Sequence, residues 1–299
     1  MDSKINQAIK QAAERINAFA GSAEAISYPS NGVPDKSRVI AITDQLRSTM
    51  FPGFFEAPAY CGDEAVTSYK LTQISAELER QALLAYRGSN SEQAASKLAA
   101  KAVQSFMLEL PRVQELLYTD VKAIYMGDPA AQSEVEVVLS YPGLFAITVY
   151  RLAHVIYTIG VPLIPRIMTE YAHGQTGIDI NAGAQIGSYF FIDHGTGVVI
   201  GETTVIGDYV KLYQGVTLGA LSTRKGHKLT GIKRHPTLGN RVSVYSGASI
   251  LGGDTVVGDD CLIGSNAFVT GSVPANTKVS LKAPEHTFRT NVPGLWEKE

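Results

Sequence analysis

His194 stands in the run IDHGTGVVIGET (192–203), directly after Asp193, and Asp179 lies 15 residues upstream. An unperturbed histidine titrates near 6.5, so its neutral ring is well suited to drawing a proton off a hydroxyl near neutral pH. A carboxylate on the other ring nitrogen selects the tautomer and steadies the imidazolium that forms, as in hydrolase triads but with no nucleophilic serine. Base catalysis of this kind is worth about 10²–10⁴-fold in rate. A histidine standing alone more often satisfies a turn hydrogen bond, so the chemistry depends on whatever brings a carboxylate to it. No P-loop and no GxGxxG fingerprint after a strand is present.

The positioning element is a repeat. From residue 179 onward aliphatic residues lead motifs six residues long: Ile180, Ile186, Ile192, Ile200, Ile206, Leu212 and Leu218, then Leu238, Val244, Ile250, Val257, Ile263 and Val269. Glycine often follows the aliphatic residue, as at Gly187, Gly201, Gly207 and Gly239. Hexapeptide periodicity predicts a parallel β-helix: three hexads make one triangular coil, with the leads inward and small residues turning the corners. Such repeats wind left-handed, against the usual crossover rule. A separation of 15 is a little under one coil, so Asp179 and His194 are expected to face each other on successive turns. Two extra residues enter near Val198 and Val199, and one near Thr255.

Residues 219–236, GALSTRKGHKLTGIKRHP, interrupt the hexads with five basic residues (Arg224, Lys225, Lys228, Lys233, Arg234) and no acidic one. Long insertions in a regular scaffold are usually functional or disordered.

Before residue 177 the pattern is helical. Segments 67–86 and 92–110 carry apolar residues at three- and four-residue spacing, and another helical stretch over 143–171 is broken near 160–165. Pro52-Gly53, Gly88-Ser89 and Gly127-Asp128-Pro129 punctuate them. The expected class is α+β: a helical domain over 1–176, a left-handed β-helix over 177–275 with the insertion 219–236, and a tail over 276–299.

The bulk numbers exclude several classes. With 26 basic and 28 acidic residues the chain has no general pull toward nucleic acid or anionic membrane. Cys61 and Cys261 have no CxxC or His-rich partner, which fits a reducing cytoplasm. The first residues lack the apolar core of a signal peptide, and the apolar stretch 155–165 is about half the ~20 residues a membrane span needs.

Residues 179–265 resemble the serine acetyltransferases, left-handed β-helix acyltransferases. The likeness rests on GIDI (177–180), IDHGTGVVIGET against the family's LDHATGIVVGET, VTLG (216–219) and KRHP (233–236). GDPAA (127–131), Tyr141-Pro142-Gly143 and Tyr150-Arg151 extend it upstream, so that it is strong over about 120–280. Two departures stand out: Asn181-Ala182 where many members have His-Pro, and the long basic insertion in place of a short glycine-rich loop.

The resemblance implies transfer of the acetyl group of acetyl-CoA to the hydroxyl of L-serine, the first step of cysteine biosynthesis. It makes His194 the general base and Asp179 its orienting partner. Asp128 and Asp193 would hold the substrate ammonium, although Asp-Pro is also a common turn starter. Arg234 and His235 would hold the carboxylate, Arg for its bidentate fork. Thr217, Ala220, Ser246 and Ser265 would line a CoA groove between two prisms, and the basic loop would reach the CoA phosphates. No metal is expected. The resemblance further implies a homotrimer, or a dimer of trimers, in which His194 and His235 meet across an interface. Members that dock into O-acetylserine sulfhydrylase typically end in Ile; this chain ends Trp-Glu-Lys-Glu, which speaks against that partnership.

Three other readings compete. One keeps the fold but takes a sugar or homoserine hydroxyl as acceptor, against which the zwitterion-matched set Asp128, Asp193, Arg234 and His235 argues. A second is a metal site from His194, His227 and His235. The third is a non-catalytic scaffold.

Overall fold

The computed structural model describes residues 3–26, 28–29, 32–55, 62–222, 224 and 226–282. Cys61, Lys225 and residues 283–299, with the Trp-Glu-Lys-Glu ending, lie outside the described residues, as does the side chain of His227. The chain forms two compact units, one of residues 1–110 and 155–168, the other of residues 111–154 and 169–299.

The first unit is helical. It holds α1 (Ser3–Ala20), α2 (Lys36–Met50), α3 (Glu64–Arg87) and the start of α4 (Glu92–Gly127). Asp35 and Asp63 cap α2 and α3, each carboxylate accepting two backbone N–H groups that the first turn leaves without partners. The two helices pack on each other and bury Val39, Ile42, Leu46, Ile74 and Leu78. The helices expected over 67–86 and 92–110 are therefore present.

The second unit contains the rest of α4, α5 (Glu134–Ser140), most of α6 (Pro142–Ile159), the end of α7 (Ile164–Thr176) and, among the described residues, fourteen short parallel strands. The expected break near 160–165 is real: Gly160 and Leu163 both have positive φ, at 89° and 64°. Helix α6 is long and apolar enough to cross a membrane by composition alone, but 61% of it is buried, the pattern of a core helix.

Every hexad lead occupies the second position of a strand. The strands are β1 (Asp179–Ile180), β2 (Gln185–Ile186), β3 (Phe191–Ile192), β4 (Val199–Ile200), β5 (Val205–Ile206), β6 (Lys211–Leu212), β7 (Thr217–Gly219), β8 (Thr237–Leu238), β9 (Ser243–Val244), β10 (Ser249–Leu251), β11 (Val256–Val257), β12 (Leu262–Ile263) and β13 (Phe268–Val269). They stack into three parallel sheets, the faces of the left-handed β-helix. Sheet one runs β1-β4-β7-β10-β13 and sheet two β2-β5-β8-β11. Sheet three is β3-β6-β9-β12 with a further strand, β14 (Lys278–Val279), from the segment read as tail. The leads stack in register, as in Ile180↔Ile200↔Leu218↔Ile250↔Val269, and nearly all are buried. Burial of these stacked aliphatic side chains is the main drive to form the prism, at roughly 1.5–3 kcal/mol each.

The position of the irregularity needs correction. Ile192 pairs with Leu212 and Val199 with Thr217, so Val198 and Val199 are in step with the coil above. The two extra residues lie in the corner 193–196, where the next coil has only Tyr213 and Gln214. The break in period is therefore the stretch that carries Asp193 and His194.

Candidate active site

The corner that follows β3 is built on positive φ. His194, Gly195 and Gly197 have φ of 55°, 82° and 79°, and Gly215, Gly247 and Asn266 continue the left-handed column on later coils. A non-glycine residue there is under strain of about 1–2 kcal/mol. The turn is held by Gly197 N–H to Gly177 O at 2.8 Å and Val198 N–H to Gly195 O at 2.9 Å. It thrusts His194 outward, its side chain 72% exposed, while Asp193 beside it is 16% exposed and its Oδ1 lies 3.8 Å from His194 Nε2.

Asp179 flanks the same turn. Its N–H donates to Val198 O at 2.9 Å, and it pairs with Val199 on β4. Ile180 points into the core, so Asp179 points out, as the alternation of a strand requires. Among the described residues no hydrogen bond or ion pair joins the Asp179 carboxylate to His194.

Asp128 comes to this corner from α4. Two glycines seat the helical turns on β3: a Cβ at Gly127 would lie 2.6 Å from the Phe191 ring, and one at Gly143 would lie 2.5 Å from Ile192 O. Glycine is needed at both for that approach. The Asp128 carboxylate accepts the Tyr141 hydroxyl at 2.6 Å and the Ala130 N–H at 2.8 Å. These bonds, Tyr141 first, hold its carboxyl below the usual range, and nearby His194 adds to the shift. In the sequence Tyr141 stands out only as part of Tyr141-Pro142-Gly143, with no role at the site attached to it.

KRHP docks on the coil beneath it through GET (201–203). Thr203 N–H donates to His235 Nδ1 at 3.0 Å, and Thr203 Oγ1 lies 2.9 Å from the same nitrogen. Thr203 Oγ1 also accepts Arg234 N–H at 2.9 Å and His235 N–H at 3.1 Å. An Nδ1 that accepts from a backbone N–H carries no proton, so the neutral ring has its hydrogen on Nε2. Burial, then the Arg234 charge, lowers the His235 pKa to about 4. Gly201 makes room for the ring, since a Cβ there would lie 2.0 Å from Cδ2. Arg234 pairs with Glu202 and donates to Leu229 O. Lys233 Nζ donates to Thr203 O at 2.5 Å and to Pro236 O at 3.2 Å. Of the basic residues in the insertion, Lys233 and Arg234 are thus turned to the prism, while Arg224 and Lys228 are exposed.

His194 and His235 sit at different corners of the prism, one between sheets three and one, the other between sheets one and two. The first of these corners continues upward through Gln214, Ser246 and Ser265, tied by Gly247 N–H to Gln214 O and Asn266 N–H to Ser246 O, both 2.9 Å. Ser246 Oγ donates to Ser265 Oγ at 3.2 Å. Thr217 lies on sheet one beside this corner and Ala220 directly after β7. Among the described residues no cluster of three or more His, Cys, Asp or Glu side chains is arranged to hold a metal.

This geometry offers an exposed imidazole beside the Asp193 and Asp128 carboxylates, a guanidinium and a second imidazole on a neighbouring corner, and a hydroxyl-lined edge above. No family model matches the chain. A plasmid-borne serine acetyltransferase of Synechococcus elongatus is 43% identical over 268 residues, covering 85% of this chain and 82% of that protein. Serine acetyltransferase 1 of Entamoeba histolytica, solved with L-cysteine, aligns at 35% identity and a TM-score of 0.72 over 86% of this chain and 90% of that one. A Neisseria gonorrhoeae serine acetyltransferase solved with serine aligns at 26% identity and a TM-score of 0.54, over 82% and 97%.

Proposed function

The chain belongs to the serine acetyltransferase family, and from that premise we propose how its residues divide the work. The reaction moves an acetyl group to the hydroxyl of L-serine and gives O-acetyl-L-serine, the first step of cysteine biosynthesis from serine. Acetyl-CoA is the donor. His194 takes the serine hydroxyl proton as the oxygen attacks the thioester carbonyl. The tetrahedral intermediate then collapses, expels the CoA thiolate and returns the proton to it. Asp179 orients the imidazole. Asp128 and Asp193 face the ammonium, and Arg234 with the Nε2–H of His235 faces the carboxylate.

The observation that carries this reading is the two-residue excess at 193–196. It pushes His194 out of an otherwise regular corner, between Asp193 and the turn that Asp179 flanks. The working form in this reading is a cytoplasmic homotrimer, in which His194 of one prism would meet His235 of the next. CoA then lies along the corner of Ser246 and Ser265, with Thr217 and Ala220.

Free-thiol release from acetyl-CoA, measured with and without L-serine, tests the assignment. Release should require L-serine, and His194→Ala should lose about 10²–10⁴-fold in turnover with its melting temperature unchanged. Near-normal turnover by this variant would remove His194 from the base role.

A further inference from the structure

An ammonium is recognised best by a carboxylate that cannot turn away. Asp128 follows Gly127 at the end of α4, in a loop where only a second anchor can fix its rotamer. The Ala130 N–H holds Oδ1 at 2.8 Å, and the Tyr141 hydroxyl, thirteen residues on, donates to Oδ2 at 2.6 Å. Each oxygen keeps a lone pair for a further donor.

The hydroxyl is not needed to build α5. That helix begins at Ser133, whose side chain accepts Glu136 N–H at 3.1 Å, while Gln132 N–H donates to Glu136 Oε2 at 2.7 Å, a reciprocal cap. It ends on the backbone of Tyr141, whose N–H donates to Val137 O at 3.3 Å. The ring therefore sits where the backbone puts it, and the hydroxyl is left for Asp128.

Resting on the reading of Asp128 as an ammonium partner, we propose that Tyr141 is a positioning residue for the acceptor: its hydroxyl holds the Asp128 carboxylate toward the amino group of L-serine. Both groups keep the required state at working pH. The bond to Asp128, then burial, pushes the phenol up to about 12, so Tyr141 stays a donor, and the same bond keeps Asp128 ionised. The titratable neighbours are Glu136, Asp193 and His194. Tyr213 borders the same acids, its ring edge-on to Phe191 at 6.4 Å and stacked on Tyr245 at 5.0 Å.

The test is the steady-state kinetics of Tyr141→Phe with L-serine and with 3-hydroxypropionate, which keeps the hydroxyl and carboxylate but lacks the ammonium. The variant should raise KM for L-serine about five- to tenfold with kcat little changed. KM for acetyl-CoA should not move, and the preference for L-serine over 3-hydroxypropionate should narrow by the same factor. In an Asp128→Asn background the added change should shrink to less than about twofold, because the charge that Tyr141 positions is already gone. Three results overturn the proposal: equal losses with both acceptors, full additivity with Asp128→Asn, or an unchanged KM for L-serine in Tyr141→Phe. If Asp128→Asn itself leaves that KM unchanged, the ammonium reading falls and takes this inference with it. A raised KM in Asp128→Asn with none in Tyr141→Phe removes Tyr141 alone.

Discussion

Replacing Arg151 by Met should strongly destabilise the second unit. Arg151 is 4% exposed and Asp120 fully buried, joined through Nε to Oδ2 at 2.5 Å and Nη2 to Oδ1 at 2.8 Å. The same guanidinium donates to Gly187 O at 2.7 Å and Ile186 O at 3.3 Å, while Asp120 Oδ1 accepts Phe190 N–H at 2.9 Å. One pair thus ties α4 and α6 to the stretch between β2 and β3 that leads into Asp193. Methionine keeps most of the volume and removes all four bonds, leaving a carboxylate without its counter-ion and two carbonyls without their donor. Burial pushes the Asp120 carboxyl up, opposed first by Arg151 and then by the Phe190 N–H. Breaking such a pair costs about 3–5 kcal/mol, a fall in melting temperature of roughly 6–20 °C. Thermal melts by circular dichroism would measure it, with amide exchange at Phe190 as the local readout. Asp120→Leu/Arg151→Met should be no less stable than Arg151→Met alone, because it leaves no uncompensated charge. A loss under about 1 kcal/mol in the single variant, or a double variant much worse than the single, would refute the reasoning.

His235 sets a pH dependence. Its folded pKa of about 4 lies below the roughly 6.5 of an unfolded histidine. Between those values the unfolded chain binds a proton that the folded chain refuses. Stability from this group is therefore full above about pH 6.5 and falls as pH drops toward 4, by at most about 3 kcal/mol. The stability gap between the parent and His235→Gln should narrow over that window in melts; a gap that does not change with pH would contradict the assigned tautomer. Gly201→Ala drives a methyl to within 2.0–2.6 Å of the His235 ring, so KM for L-serine should rise about tenfold or more. An unaltered KM there would mean that the ring takes no part in binding.

The prism was legible because its period is local: thirteen aliphatic leads, most of them six residues apart and followed by small corner residues, survive three interruptions. The active-site contacts were not legible. Asp128 and Tyr141 are 13 residues apart, Asp120 and Arg151 are 31, and Thr203 and His235 are 32. No period announces such pairs. Tyr141 and Arg151 could be matched as parts of Tyr141-Pro142-Gly143 and Tyr150-Arg151, but nothing near them in the sequence names their partners. The GET of the IDHGTGVVIGET run could be matched but not interpreted until KRHP was found docked on it.

Even the repeat was misread by a few residues where it matters. Counting leads shows that two residues are surplus between Ile192 and Ile200, but either end of that stretch could absorb them. Only the pairings Ile192↔Leu212 and Val199↔Thr217 assign them to 193–196. A regular corner offers two residues, and in the next coil Tyr213 and Gln214 fill it. The surplus lets the chain leave the prism and return, and it needs positive φ at His194, Gly195 and Gly197 to do so. The same logic holds for the insertion 219–236, whose last residues are pinned by Glu202 and Thr203. In a fold whose faces are spent on stacking aliphatic leads, a side chain is thrown furthest clear of the prism where the period fails, as His194 is. Departures from the hexad, rather than its best matches, are therefore the places to look for chemistry.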